Sequence, residues 1–175
     1  MKEGQLFGTD GIRGRAGEHP LTESFTQKIG HALANHLWES HDEIEHPPCI
    51  VIGHDGRASG ETLTLSISKG LTEKGVDVNL VGLATTPCVA YLASAIKKYT
   101  GGIVISASHN PAEDNGIKLL NGKGEKISTF TEEKIESYLK ENHNDTKEIK
   151  KEGIISYCEE ATKHYITWLK SEAFP

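Results

Sequence analysis

The chain has 175 residues, of which 36% are hydrophobic, and carries a formal net charge of −6. This length fits one ordinary domain with some chain left over. The acidic balance argues against a nucleic-acid-binding surface, which is usually basic, and no segment has the pattern of a signal peptide or a membrane span. Three widely spaced cysteines are typical of reduced thiols in a cytoplasmic protein, and the nine histidines show no metal-ligand spacing.

After a glycine-rich start, the apolar pattern predicts alternating helices and strands. Thr22 opens a helix whose apolar residues recur at helical spacing as far as Leu37. A short apolar run at 49–52, bounded by prolines and a glycine, predicts a buried strand. Ser59 then caps a second helix, and Gly75 ends it.

The same alternation continues toward the C-terminus. The further predicted elements are a strand at 76–80, a helix starting at Pro87, strands at 103–105 and 116–120, and a helix at 132–142. Such an order predicts parallel strands with helices on both faces. Ligands bind at the carboxyl ends of strands in such sheets, which is where loops 53–60 and 106–116 are expected.

The C-terminal part has a different character. A charged connection is predicted at 141–151, followed by a helix with an apolar face of Cys158, Ala161, Tyr165, Trp168 and Leu169. An apolar helix face needs a cover. Either its own domain or the start of a second domain would provide one.

All three arginines of the chain, Arg13, Arg15 and Arg57, lie in glycine-rich stretches. The guanidinium group matches phosphate oxygens, and glycine lets backbone approach a ligand closely. On residue types alone, a phosphate contact and plain turn chemistry with solvated arginines stay equally open.

Ser108 lies in the loop 106–111 (SASHNP), directly after a predicted buried strand. Three interpretations compete: a phosphoryl carrier, a hydrolase dyad with His109, and plain turn hydrogen bonding. The dyad is disfavoured because neighbouring extended residues point to opposite sides and no Gly-x-Ser-x-Gly pattern is present. For a carrier, Asn110 and Asn115 could bind oxyanions, and Lys118 could serve as acid or base.

Residues 105–118 (ISASHNPAEDNGIK) resemble the active-site signature of the α-D-phosphohexomutase family, in particular its bacterial phosphoglucosamine mutase branch. Residues 6–14 (LFGTDGIRG), 53–60 (GHDGRASG) and 86–92 (TPCVAYL) match other motifs of the family in the same order. The resemblance favours a phosphoryl carrier at Ser108 over a plain turn.

For the fold, the resemblance implies a three-layer α/β/α sandwich with a mixed, mostly parallel sheet. Residues 1–155 would form the phosphoserine-bearing domain I, the first of four domains. Residues 156–175 would form a C-terminal helix at the start of a missing domain II.

For the reaction, the resemblance implies interconversion of glucosamine 6-phosphate and glucosamine 1-phosphate in the cytoplasm, for peptidoglycan precursors. Phosphorylated Ser108 would give its phosphate to the sugar, and the 1,6-bisphosphate intermediate would turn over and return its other phosphate. Glucosamine 1,6-bisphosphate or a similar compound would be the primer. The implied partners are the phosphosugar and the remaining mutase domains, with neither nucleic acid nor membrane.

The resemblance also implies roles for individual residues. Lys118 would be the acid/base lysine, His109 would stand beside the phosphoserine, and Arg13 would lie near the transferring phosphate. Asn110, Asn115 and Arg57 would bind substrate or phosphate. Mg²⁺ would contact an oxygen of phosphorylated Ser108, with its other ligands in domain II.

Two departures from the family pattern affect these expectations. Residues 54–56 read HDG where Lys-Asp-Thr is usual, so this loop is expected to differ in flexibility. The aspartate-rich metal loop (DGDxDR), the sugar-recognition loop and the C-terminal phosphate-binding domain are absent. The isolated chain is therefore expected not to interconvert glucosamine phosphates. The alternatives are a phosphomannomutase or phosphoglucomutase domain, and a non-catalytic module that binds phosphosugar or interacts with another polypeptide.

Overall fold

A computed structural model describes residues 5–40, 46–140, 151–158 and 160–173 of the chain. The strands within these residues are β1 (Ile12–Arg15), β2 (Cys49–His54), β3 (Asp77–Leu83), β4 (Gly101–Ile105), β5 (Asp114–Asn121) and β6 (Ile155–Tyr157). The helices are α1 (Glu23–Glu39), α2 (Gly60–Glu73), α3 (Thr86–Ala95), α4 (Thr129–Lys140) and α5 (Glu160–Trp168). A π-helical turn over Leu169–Ala173 follows α5.

The six strands form one mixed sheet in the order β1-β5-β4-β2-β3-β6. β4, β2, β3 and β6 run parallel, whereas β5 is antiparallel to both β4 and β1. Strand residues alternate between two buried clusters because successive side chains point to opposite faces. In β2, Ile50 and Ile52 belong to the cluster under α1, α2 and α4, and Val51 to the cluster under α3 and α5. The predicted three-layer α/β/α sandwich with a mixed, mostly parallel sheet is therefore confirmed.

Helices α1 and α2 cross at two glycines. A Cβ atom on Gly30 would lie closer than 3.0 Å to the carbonyl oxygen of Ile67. One on Gly70 would lie even closer to the carbonyl oxygen of Gln27. The two backbones are thus in direct contact, and this contact sets how tightly α1 and α2 cover the sheet.

Some element boundaries differ from the predicted ones. The helix predicted at 132–142 begins at Thr129 and is described to Lys140, while the rest of it and most of the 141–151 connection lie outside the described residues. Ser59 occupies the predicted N-cap position of α2, but its side chain makes no cap hydrogen bond. Thr22 caps α1 as predicted, accepting from the amide of Phe25 at 3.2 Å.

The last helix packs its apolar face on its own domain, which is one of the two possibilities that the sequence left open. Ala161 is buried, and Trp168 stacks on Tyr91 of α3 with ring centroids 4.7 Å apart. β6 spans the predicted boundary at residue 155, because Ile155 pairs with Val78 of β3. The division into 1–155 and 156–175 stays a prediction. Among the described residues, none of the helices has the length and apolar character that crossing a membrane requires.

Candidate functional site

The ends of β2 and β4 bring two sequence motifs to the same edge of the sheet. His54 pairs with Ile105 at the carboxyl ends of these parallel strands. The amide of Asp55 then donates to the carbonyl oxygen of Ile105 at 3.1 Å. The loops that follow the two strands therefore lie side by side, as the strand order predicted.

Ser108 stands at the exposed part of the loop after β4, in an unusual backbone conformation. Its φ angle is +57°, in the left-handed region. Side chains other than glycine are uncommon there, and holding a residue in a sparsely populated region costs about 1–3 kcal/mol. The amide of Ser108 donates to Ser106 Oγ at 3.0 Å, and its carbonyl oxygen accepts from Arg57. His109, also exposed, follows directly. Such strain concentrates at functional sites.

Two cations meet on one carboxylate oxygen next to this loop. Lys118 Nζ lies 2.7 Å and Arg13 Nη2 lies 2.8 Å from Oδ2 of Asp10. Arg13 also donates from Nη1 to Asn110 Oδ1 at 3.0 Å. Asn110 in turn donates to a carboxylate oxygen of Asp114 at 3.0 Å. The structure therefore joins Arg13, Asn110 and Lys118, three residues that the sequence analysis selected.

Asp10 is a site residue that the sequence analysis missed. It reaches Lys118 because β1 pairs with β5, with Arg13 opposite Gly116, and because the turn before β1 lies directly on β5. Gly11 in that turn has φ +93°, and a Cβ atom there would lie closer than 3.0 Å to the carbonyl oxygen of Ile117. Four residues are too few for the alternation of a strand to be recognised in the sequence. The contact between Asp10 and Lys118 could therefore not be predicted.

Burial alone would raise the pKa of the Asp10 carboxyl. The hydrogen bonds and positive charges of Lys118 and Arg13 outweigh burial and lower this pKa below its usual 3.8. Asp10 therefore stays ionised and balances two positive charges at the edge of the serine loop. The Asp10 side chain is half exposed, whereas Lys118 and Arg13 are 13% and 32% exposed.

Asp10→Asn is expected to lower the free energy of unfolding at pH 7 by less than about 1 kcal/mol, since the pair is partly solvated. A carboxyl with a depressed pKa stabilises the fold above its unfolded pKa and loses that effect as pH falls through its folded pKa. The difference between wild type and Asp10→Asn should therefore be full above pH 3.8 and disappear as the pH falls through the folded pKa of Asp10, which lies below 3.8. Urea unfolding over a pH series would measure it.

The matched control for this prediction is Glu18→Gln. Glu18 pairs with Arg15 at 3.6 Å, and both side chains are more than 60% exposed. Its removal should change stability less than the removal of Asp10 does. A constant difference between wild type and Asp10→Asn down to the lowest pH would contradict the assigned role of the carboxylate charge.

Asn115 and Arg57, also predicted to bind phosphate or substrate, have their donors engaged within the chain. Asn115 is fully buried, donates to Ser59 Oγ at 2.9 Å and accepts from the amide of Gly116 at 2.8 Å. The guanidinium group of Arg57 binds Asp55 and carbonyl oxygens of the serine loop. A phosphate contact by Arg57 would require its bonds to break, and Asn115 has no exposed surface at which to meet a phosphate.

The described residues do not by themselves form a magnesium site. Among them, no group of three or more His, Cys, Asp or Glu side chains could hold a metal ion. Magnesium takes near-octahedral oxygen coordination, and a phosphate on Ser108 would add a single ligand. The nearby carboxylates of Asp10 and Asp114 are already bonded to Lys118, Arg13 and Asn110.

Comparisons with known proteins agree with this geometry. The family model described as "Phosphoglucomutase/phosphomannomutase, alpha/beta/alpha domain I" matches residues 4–146. The phosphoglucosamine mutase of Thiobacillus denitrificans is 41% identical over 98% of the chain, and that of Pseudoalteromonas translucida is 42% identical over 100% of it. The chain spans 37% of the length of each of these relatives.

Solved structures show the same fold. A phosphoglucomutase/phosphomannomutase family protein from Burkholderia thailandensis superposes with a TM-score of 0.79 at 25% identity, covering 98% of this chain and 36% of that one. The phosphoglucomutase parafusin from Paramecium, in its open form, has a TM-score of 0.74 over 96% of this chain and 35% of its own; at 18% identity this likeness concerns the fold alone. The family model and the identity to the bacterial mutases together show that the chain belongs to the phosphoglucomutase/phosphomannomutase family, in which it corresponds to the α/β/α domain I.

Proposed function

We propose that this chain is the phosphoserine domain of a phosphoglucosamine mutase, with Ser108 as the phosphate carrier. The observation that carries the proposal is the strained, exposed Ser108 in a loop that Asn110 ties to Arg13. The 41–42% identity to bacterial phosphoglucosamine mutases supports this choice of substrate. The reaction would interconvert glucosamine 6-phosphate and glucosamine 1-phosphate.

In the proposed reaction, a hydroxyl of the sugar phosphate attacks the phosphorus held on Ser108 Oγ. The bond from Oγ to phosphorus breaks as the new bond to the sugar oxygen forms, which gives the 1,6-bisphosphate. Lys118, held by Asp10 at 2.7 Å, would donate a proton to the leaving Ser108 oxygen and recover one from the sugar hydroxyl. After the bisphosphate has turned over, the reverse step returns its other phosphate to Ser108.

Charge stabilisation is the main task of a protein in phosphoryl transfer, because the transferred group is negative throughout. Arg13 is proposed to act on the transferring group, since its side chain already contacts the serine loop through Asn110. His109 would lie beside the same group because it follows Ser108 in an exposed position. Oxygens of the transferring phosphoryl group would replace part of the negative charge that the Asp10 carboxylate supplies to Arg13 and Lys118.

The longer relatives have length beyond the part that this chain matches. We propose that the remaining magnesium ligands, the sugar-recognition residues and a further phosphate-binding region belong to that length. Domain I would contribute to the metal one oxygen of the Ser108 phosphate. A cytoplasmic location is part of the proposal and is supported by the three free cysteines Cys49, Cys88 and Cys158.

Phosphate incorporation at Ser108 tests the proposal directly. Incubation with glucosamine 1,6-bisphosphate should add one phosphate to the chain, seen as a single shift in intact mass. Ser108→Ala should abolish this shift, because the acceptor oxygen is gone. Ser66→Ala is the matched control, since Ser66 is a half-buried serine of α2 whose hydroxyl donates to the carbonyl oxygen of Thr62. Incorporation that persists in Ser108→Ala would contradict the assignment.

A phosphomannomutase or phosphoglucomutase is the second candidate, favoured by the description of the family model and by the Burkholderia structure. Turnover of the full-length protein on glucosamine, mannose and glucose phosphates would separate the three substrates. A non-catalytic module is the third candidate. It would bind the bisphosphate without incorporating phosphate at Ser108.

A further inference from the structure

Arg57 uses its whole guanidinium group to hold the backbone of the Ser108 loop. Nη2 donates to the carbonyl oxygens of Ser108 and Asn110, each at 3.0 Å. Nη1 donates to the carbonyl oxygen of Asp114 at 2.9 Å and to that of Pro111. Nε donates to Asp55 Oδ2 at 3.1 Å. An arginine side chain has five N–H donors, so all of them are engaged within the chain.

Asp55 connects this arginine to the other side of the loop. Its carboxylate accepts from the backbone amide of Arg57 at 3.2 Å as well as from Nε. The Ser106 hydroxyl also helps to lower the pKa of Asp55, and Ser106 Oγ accepts from the amide of Ser108 at 3.0 Å. Burial alone would raise the pKa of Asp55, but the bonds from Ser106 and Arg57 outweigh it and lower this pKa. Arg57 thus holds Ser108 by its carbonyl oxygen, while Ser106 Oγ holds it by its amide.

This grip explains how Ser108 keeps its left-handed conformation. A strained residue persists only where its surroundings over-determine it. The carbonyl of Ser108 and the carbonyl two residues later are fixed by one rigid, planar group whose side chain is only 12% exposed. A lysine at this position would keep the positive charge but could not span four carbonyl oxygens with one nitrogen.

We propose that Arg57 is a positioning residue for phosphoryl transfer, holding the Ser108 loop by its carbonyl oxygens rather than binding phosphate itself. This rests on the proposed function, because Ser108 must be the phosphate carrier for its orientation to affect a rate. Because its donors are engaged by the loop, Arg57 does not make the phosphate contact that the family resemblance implied for it. Arg13, which reaches the loop through a side chain instead of its backbone, keeps the role at the phosphate.

The test compares Arg57→Lys with Arg15→Lys in the full chain. Arg15 is the matched control because its side chain is 62% exposed and pairs only loosely with Glu18 at 3.6 Å. Amide hydrogen exchange over residues 106–116 should become at least about tenfold faster in Arg57→Lys, because local opening no longer breaks the guanidinium contacts. Exchange in α1 and β3 should stay as in wild type, and Arg15→Lys should match wild type throughout.

The second measurement is the rate of Ser108 phosphorylation by glucosamine 1,6-bisphosphate. Arg57→Lys should lower the maximal rate about 100-fold through misplacement of the nucleophile. The half-saturating bisphosphate concentration should stay unchanged, because no phosphate contact is lost. Adding guanidinium ion at millimolar concentration to Arg57→Ala should restore part of the rate and of the loop protection. Asp55→Asn, a milder variant, should change both readouts in the same direction.

Unchanged loop exchange in Arg57→Lys would overturn the proposal. A raised half-saturating concentration with an unchanged maximal rate would also overturn it and would make Arg57 a phosphate ligand. If the wild-type chain takes up no phosphate, the proposed function fails at Ser108. The exchange measurement still decides whether Arg57 holds the loop.

Discussion

Gly70→Ala should lower the free energy of unfolding by about 3 kcal/mol, since overpacking a close contact forces the backbone to move. A methyl group at this position would meet the carbonyl oxygen of Gln27 on α1, and the Cα of Gly30 lies nearby. Neither partner is the end of a flexible side chain, so the clash is relieved only by separating α1 from α2. The helices would then leave Ile29 and Ile67, both fully buried, less well packed.

Helix propensity predicts the opposite sign, which makes the measurement decisive. Alanine is favoured over glycine in an exposed helix interior by about 1 kcal/mol. Ser66→Ala on the same helix is the matched control, because Ser66 is half-buried and its hydroxyl donates to the carbonyl oxygen of Thr62 within the helix. Urea unfolding should show a lower midpoint for Gly70→Ala with an unchanged slope, and a near wild-type midpoint for Ser66→Ala.

The double variant Gly30→Ala with Gly70→Ala adds a test of the mechanism. The two glycines contact each other across the crossing, so residues there are not independent. Once one methyl group has separated the helices, the second finds more room. The combined loss should therefore be smaller than the sum of the single losses. A strictly additive result would contradict a single shared contact.

The sandwich was predictable because each of its central elements carries a local pattern. The continuous apolar run of β2 needs a sheet covered on both faces, and its residues Ile50 and Val51 do reach separate clusters. Thr22 begins α1 with a side-chain cap that is visible in the sequence. β1 and β6 escaped prediction because four and three residues are too short for alternation to stand out. Their pairing depends on distant parts of the chain.

The candidate site was predictable in its residue types and less so in their contacts. Ser108, Arg13, Asn110 and Lys118 were selected from the sequence, and the last three are joined through hydrogen bonds and Asp10. A motif does not reveal which of its polar groups face a ligand and which hold the loop. Asn115 and Arg57 have donors that suit phosphate, yet Arg57 donates to carbonyl oxygens of the serine loop and Asn115 to the Ser59 hydroxyl.

The site therefore contains two groups of residues, one that holds the serine loop and one that shares an ion pair next to it. Arg57 donates to carbonyl oxygens of the serine loop, and Asn115 donates to the Ser59 hydroxyl. Arg13 and Lys118 share a half-exposed carboxylate, a partner that an incoming anion can replace. A single arginine change should thus have different consequences at the two positions: altered loop order at Arg57, and altered anion response at Arg13.

Gly11→Ala should lower the free energy of unfolding by about 3 kcal/mol, at the upper end of typical single substitutions. Gly11 combines a φ of +93° with a close approach to the carbonyl oxygen of Ile117, so alanine meets both backbone strain and a clash with β5. Gly17→Ala is the matched control. Gly17 has a similar φ of +85°, but nothing lies within 4 Å of its Cβ position. It should cost about 1 kcal/mol from strain alone.

The difference in unfolding free energy between these two glycine variants measures how much the close contact between the turn before β1 and β5 matters for stability. If that contact positions Asp10, then Gly11→Ala should also separate Asp10 from Lys118. Adding Asp10→Asn to Gly11→Ala would then change stability less than adding it to wild type, because the ion pair is already broken. Equal losses in both backgrounds, in urea unfolding at pH 7, would show that Asp10 finds Lys118 without the glycine contact.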